Sequence, residues 1–280
     1  MNAAVATPAL RWSALADIAL KAAARFWFVV AVAGQWIFVA YIALHYGGSA
    51  MLGDVAAWNR SLPHGYEAGN TIGNIALAGH LLFAASLTFA GALQLVPQIR
   101  GRYPAFHRWN GRIFVVSAFV MGVIGLYFAW AGRVVGGPAH RLAIDINAVL
   151  MMLCVVMAWR YALARDFATH RRWALRLFLL VNGTWFFRIG LMFWILVNQG
   201  PVGFDPKTFT GPFITFLAYA NYVVPLAVLE IYLRAHRGGG APRRLAIAGG
   251  LVVLTVAMGV GIFGATVGLW LPVLGGARAA

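Results

Sequence analysis

Acidic residues are scarce in this chain. Only seven Asp and Glu occur in 280 residues, and the four charged types together make up 10%. A single cysteine, Cys154, lies inside an apolar run. One thiol excludes an intrachain disulfide, and it also excludes zinc-finger and c-type haem attachment motifs, which need cysteines in pairs. Neither HExxH nor GxSxG occurs. With so few carboxylates, and three converging ligands needed for a zinc site, membrane hydrolysis has no residues to stand on.

Apolar residues are abundant, at 62%. A soluble domain of this composition would leave most of its surface apolar, so lipid is expected as the main solvent and principal partner. The formal charge of +15 raises the question of nucleic acid. However, the arginines stand in short groups between apolar runs, as loops beside a bilayer do, and no nucleic-acid partner is expected. The first apolar run is a full span long and lacks a small-residue cleavage site after it, so it reads as a retained helix rather than a signal peptide.

Uncharged or nearly uncharged runs predict an all-α, polytopic bundle of seven transmembrane helices, with spans at 26–44, 71–97, 113–132, 142–159, 177–199, 208–229 and 245–273. A spanning helix takes about 20 residues, so these spans use up the chain as a single membrane domain. Pro212 and Pro225 are expected to shape or kink the sixth span. Sixteen of the 22 Lys and Arg fall before span one or after spans two, four and six, and five fall in the alternate loops and at the C-terminus. This asymmetry predicts a cytoplasmic N-terminus and an external C-terminus in the cell (inner) membrane.

Spans two and three match spans four and five in layout, with His80, Arg100 and His107-Arg108 running parallel to His140, Arg160 and His170-Arg171. Two such hairpins would form a four-helix core over residues 71–199, with the other spans as additions.

The stretch Gly91-Ala92-Leu93-Gln94, Pro97, Arg100, Arg102, Pro104 and His107-Arg108-Trp109-Asn110-Gly111-Arg112 forms a signature. His80 lies upstream of it and His170-Arg171-Arg172-Trp173-Ala174-Leu175-Arg176 downstream. Together they resemble a bacterial family of predicted membrane proteins of unknown function. The resemblance covers spans two to five; it implies a multi-span membrane fold and no established activity.

His107 and His170 both open odd-numbered spans on the cytoplasmic side, at similar depths of roughly 23 and 27 Å from the bilayer centre. Two imidazoles at matched depth suit the axial positions of a b-type haem, with Arg108, Arg112, Arg171 and Arg176 for its propionates. The plainer reading places both histidines beyond the hydrocarbon edge at about 15 Å, with the arginines on anionic lipid headgroups. A second haem would use His80 and His140. Ligands on spans two and four at one face and three and five at the other are similar in architecture to the ascorbate-linked cytochrome b561 family, although no ascorbate-binding motif is matched. A quinone or other redox partner would follow from that likeness.

Three ionisable groups fall within spans: His80, Asp145 and Arg188. Such groups are costly in lipid and turn toward protein or water. Arg188 and Asp145 read either as a buried pair that fixes the bundle or, with His80, as a site for a ligand, a haem propionate, a quinone or a proton path. Asp145 with Arg141 one turn earlier is a further pairing. Asn147, Asn182 and Gln35 are expected to add hydrogen bonds. His45 and His64 read as outer-loop residues, His236 as part of a basic loop, and Trp58 as an interfacial anchor. Two functions follow: a membrane electron carrier with bis-histidine haem b, or a transporter or small-ligand-binding protein built on His80, Asp145 and Arg188. A purely structural membrane subunit is the third possibility.

Overall fold

A computed structural model describes residues 8–62, 64–238 and 240–276; Arg278, counted above among the outer basic residues, lies outside them. All regular structure among the described residues is helical, apart from one isolated bridge between Asp205 and Thr210. The long helices are α1 (Pro8–Ile42), α2 (Thr71–Leu95), α3 (Pro104–Trp130), α4 (Gly137–Leu163), α5 (Phe167–Val181), α6 (Gly183–Asn198), α7 (Pro212–Arg237) and α8 (Ala241–Ala265).

Their starts follow from local sequence. Asn70 caps α2 by accepting from the Gly73 amide at 2.9 Å, and Asp166 caps α5 through the Thr169 amide at 3.0 Å. Helices α3, α4, α7 and α8 begin with proline in the first turn, where the missing N–H costs nothing. Pro212 therefore starts the sixth span and does not kink it, while Pro225 lies inside α7.

Six helices are long and apolar enough to cross a membrane, and a seventh crossing is made if α5 and α6 count as one span. The run at 177–199 is thus not a single straight helix. It breaks at Asn182, and the two arms meet at 54°. The first span also exceeds its apolar run: α1 continues through a π-helical turn at Ala43–Gly47 to Met51, giving 40 residues of apolar helix from Trp12. Its early turns gain from packing, since Leu20 and Ala23 are buried against Ala235 of α7 and Ala248 and Leu251 of α8.

The break divides the core. Buried residues of α1, α6 and α8, with Leu77 of α2, form one apolar cluster. Those of α3, α4, α5 and α7, with Leu87 of α2, form the other. Spans two to five pack each on the next, and α7 closes against α4 and α5. The fifth span has one arm in each cluster, and α2 reaches both through Leu77 and Leu87.

Small residues set the closest approaches. At Gly261 of α8 an added Cβ would run into the backbone carbonyl of Ile189 on α6, and at Gly34 of α1 it would meet Trp185 at 2.9 Å. At the end of the bundle away from the arginine-rich loops, Arg133 pins the segment between α1 and α2. It donates to the carbonyls of His64 (3.0 Å) and Gly65 (2.9 Å) and pairs with Glu67 at 3.4 Å.

Two outcomes are expected. Replacing Gly261 with Leu forces α8 off α6 and costs about 1–3 kcal/mol, read as a lower midpoint in detergent-solubilised thermal unfolding. The Glu67 carboxyl is held below its usual value of 4.5, first by the Asn70 amide and then by the Arg133 guanidinium. A group depressed in the folded state stabilises at neutral pH and loses that contribution as pH falls through its lowered pKa. Melting temperature should therefore drop on acidification below 4.5, and Glu67→Gln should flatten that part of the profile.

Candidate functional site

The broken span helps to line a large cavity. It has a volume of about 1750 Å3 and lies between the two core clusters, with its mouth among the arginine-rich loops. That exceeds the roughly 300–1,000 Å3 of an ordinary small-ligand pocket. His107 at the start of α3 and His170 at the start of α5 both line it, as do Arg100, Arg108, Arg112 and Arg171. Its walls further in are apolar, including Trp27, Phe178, Phe193 and Leu254, and it reaches Asn221 of α7. No Asp or Glu lines it among the described residues.

The two histidines are held differently. His170 donates Nδ1–H to the Ala158 carbonyl at 2.9 Å, which fixes the ring and leaves Nε2 free. His107 is held through its backbone, where its carbonyl accepts from Gln94 Nε2 at 3.1 Å, and its Nδ1 is buried with no partner. The rings lie within each other's electrostatic reach. The Gly-Ala-Leu-Gln motif thus has a physical role. Gln94 and the bond from Asn110 Nδ2 to the Ala90 carbonyl at 3.2 Å tie α3 to the end of α2.

Arg176 belongs elsewhere. It pairs with Glu230 of α7 at 2.6 Å and stacks on Trp173, so it joins two helices and does not line the cavity. Arg165, between α4 and α5, does line it.

His80 and His140 do not share the cavity. His80 on α2 packs against Phe128 of α3, and His140 at the start of α4 against Phe187 of α6, each with ring centroids 5.3 Å apart. The Nδ1 atoms of both are buried without a hydrogen bond. Among the described residues, no group of three or more His, Cys, Asp or Glu is placed to hold a metal ion.

Asp145 and Arg188 form no ion pair, and neither do Asp145 and Arg141. Beyond the turn at Asn182, α6 presents Arg188 to α1. There the Arg188 guanidinium lies over Phe38 at 5.3 Å and donates to its own Thr184 carbonyl at 3.3 Å. Its charge acts on His80 and on the Tyr46 phenol. Asp145 stays on α4, with Oδ1 buried and unpartnered.

Of the expected hydrogen-bonding residues, Asn147 and Asn182 lie at the break, joined by Asn221, whereas neither amide atom of Gln35 is hydrogen-bonded. Asn182 gives Nδ2 to the Phe178 carbonyl at 2.8 Å, Asn147 to that of Leu180 at 3.5 Å, and Asn221 to those of Leu217 and Ala218 at 3.1 and 2.6 Å. These amides surround Gly183, where a Cβ would come within 2.8 Å of Asn221 Oδ1. The dipeptide Asn182-Gly183 inside an apolar run is the signal that marks the break.

His45 is also not the solvated loop residue expected. It is 1% exposed, sits in the π-helical turn and meets Ser61 Oγ at 3.0 Å, as does the Tyr46 hydroxyl. Trp58 is buried beside them, with its indole N–H on the Tyr46 carbonyl at 3.1 Å.

No curated protein and no solved structure matches the chain. A family model described as predicted membrane protein (DUF2306) matches residues 77–233, more than half of the 280 residues and the stretch that holds the cavity mouth, the break and Arg188, and the chain belongs to that family.

Proposed function

We propose that this integral membrane protein is an electron carrier with one b-type haem in the cavity at its arginine-rich end. A single observation carries the reading: two histidines and several arginines, with no carboxylate, line one cavity whose interior is apolar. His107 and His170 would hold its iron. His170 already has the second-shell bond from Nδ1 that orients a metal-binding imidazole. Arg108, Arg112 and Arg171 take the propionates with Arg100, and Arg176 does not, being held by Glu230. The haem supplies one-electron chemistry when bound; the protein's residues orient it and keep water from its apolar faces.

This is a one-haem protein. His80 packs on Phe128 of α3 and His140 on Phe187 of α6, which argues against a second haem between them. Electron transfer then runs between a partner at the arginine-rich end and an apolar carrier such as a quinone in the cavity or the adjoining lipid. The excess of basic residues places that end in the cytoplasm, with the chain in the inner membrane.

Cavity size favours a second reading. A volume of about 1750 Å3, with cationic groups at one end and apolar walls beyond, also suits a lipid with an anionic headgroup, bound or carried.

Protein purified from haem-replete cells should show a reducible Soret band and a pyridine haemochrome at one haem per chain. His107→Ala and His170→Ala should each abolish the band while the protein stays folded, and His80→Ala should retain it. A colourless, folded preparation rejects the haem. Co-purified anionic lipid, lost in an Arg108→Ala/Arg171→Ala variant, would then establish the second reading.

A further inference from the structure

The acidic residues can be assigned one by one. Asp17 pairs with Arg244, Glu67 with Arg133 and His64, and Glu230 with Arg176. Asp54, Asp166 and Asp205 accept from backbone amides of Ala57, Thr169 and Lys207. Asp145 is on α4 in no ion pair. None of the seven in the sequence lies within the 4.0 Å that defines a salt bridge to Arg188. A cation within a span is costly and is met by a counter-charge, water or backbone carbonyls. Arg188 has for company the Phe38 ring and one carbonyl of its own helix.

Polar groups without partners surround it. Gln35 of α1 is fully buried, and neither of its amide atoms is hydrogen-bonded. The indole N–H of Trp185, three residues before Arg188, is buried without an acceptor, and so is Nδ1 of His80. These groups belong to one place. The Trp185 ring meets Gly34, Arg188 lies over Phe38, and His80 packs on Phe128, which with Leu77 of α2 borders the apolar cluster that holds Phe38 and Trp185. Residues 34–38 of α1 therefore lie along residues 185–188 of α6, with α2 alongside. The Arg188 side chain is not sealed off, being of intermediate exposure. The set holds a fixed positive charge and several N–H donors, and it lacks an anionic acceptor.

We propose that Arg188, Gln35 and His80 form a binding site for a small monovalent anion, a halide or a short carboxylate, between α1, α2 and α6. The guanidinium supplies the counter-charge and the Gln35 amide a directional hydrogen bond. His80 supplies a further N–H. Trp185 forms the wall nearest Gly34. The site uses none of the residues assigned to the haem.

The test is thermal unfolding of the purified full chain while sodium bromide replaces sodium gluconate at constant ionic strength, with a parallel series in sodium acetate. A saturable rise in melting temperature is expected with bromide or with acetate, the responding salt naming the class. Arg188→Gln should abolish it. Gln35→Leu, which keeps the charge, should move the midpoint to about tenfold higher concentration, as loss of one hydrogen bond to an ion requires. His107→Ala should respond like the natural protein, which separates this site from the haem reading. No saturable rise in either salt overturns the proposal. So does a rise that persists in Arg188→Gln, or, should that variant not fold, a midpoint unmoved in Gln35→Leu.

Discussion

A helix that stops in the middle of a membrane must find partners for the carbonyls and amides it releases, because lipid offers none. Here the stop is at Asn182-Gly183, and much of the interior is organised by how those groups are satisfied. Three asparagines from α4, the break itself and α7 give their amides to helix carbonyls. Gly183 leaves room for them by lacking a Cβ. The arms then pack into different apolar clusters, α5 with α3, α4 and α7, and α6 with α1 and α8. The large cavity lies between those clusters.

Electrostatics follows the same division. The scarce carboxylates serve as fasteners: Asp17 to Arg244 between α1 and α8, Glu230 to Arg176 between α7 and α5, and Glu67 to Arg133 across the loops at the other end. What the acids leave uncovered is cationic. The arginines at the cavity mouth face bulk phase or an anionic ligand, and Arg188 faces the interior of the first cluster.

Much of this was legible in the residues. Apolar run length and the spacing of basic loops located the crossings, because bilayer thickness imposes a length that soluble folds do not. His107 and His170 were paired from their positions at the starts of the third and fifth spans, and they do share a cavity. Legibility ended where three-dimensional direction mattered. Hydropathy is blind to a bend, so 177–199 read as one helix and Arg188 was set against Asp145, whereas beyond the 54° turn it lies over Phe38. Span order gave His80 and His140 a common face but not their separate neighbours, Phe128 of α3 and Phe187 of α6. Arg176 looked equivalent to Arg171 because sequence shows a shared loop and not the rotation that aims one at the cavity and the other at Glu230. His45 looked like a loop residue because nothing in the apolar run shows α1 continuing through a π-helical turn.

The bent span also has a mechanical consequence. Two rigid arms joined at a fixed angle behave as a crank: turning α5 about its own axis sweeps α6 along a cone. His170 is on the first arm at the cavity mouth, and Arg188 is on the second, over Phe38. One helix pair thus carries both polar centres, one in each half of the bundle, and a change in the angle at Asn182 would alter the distance between them.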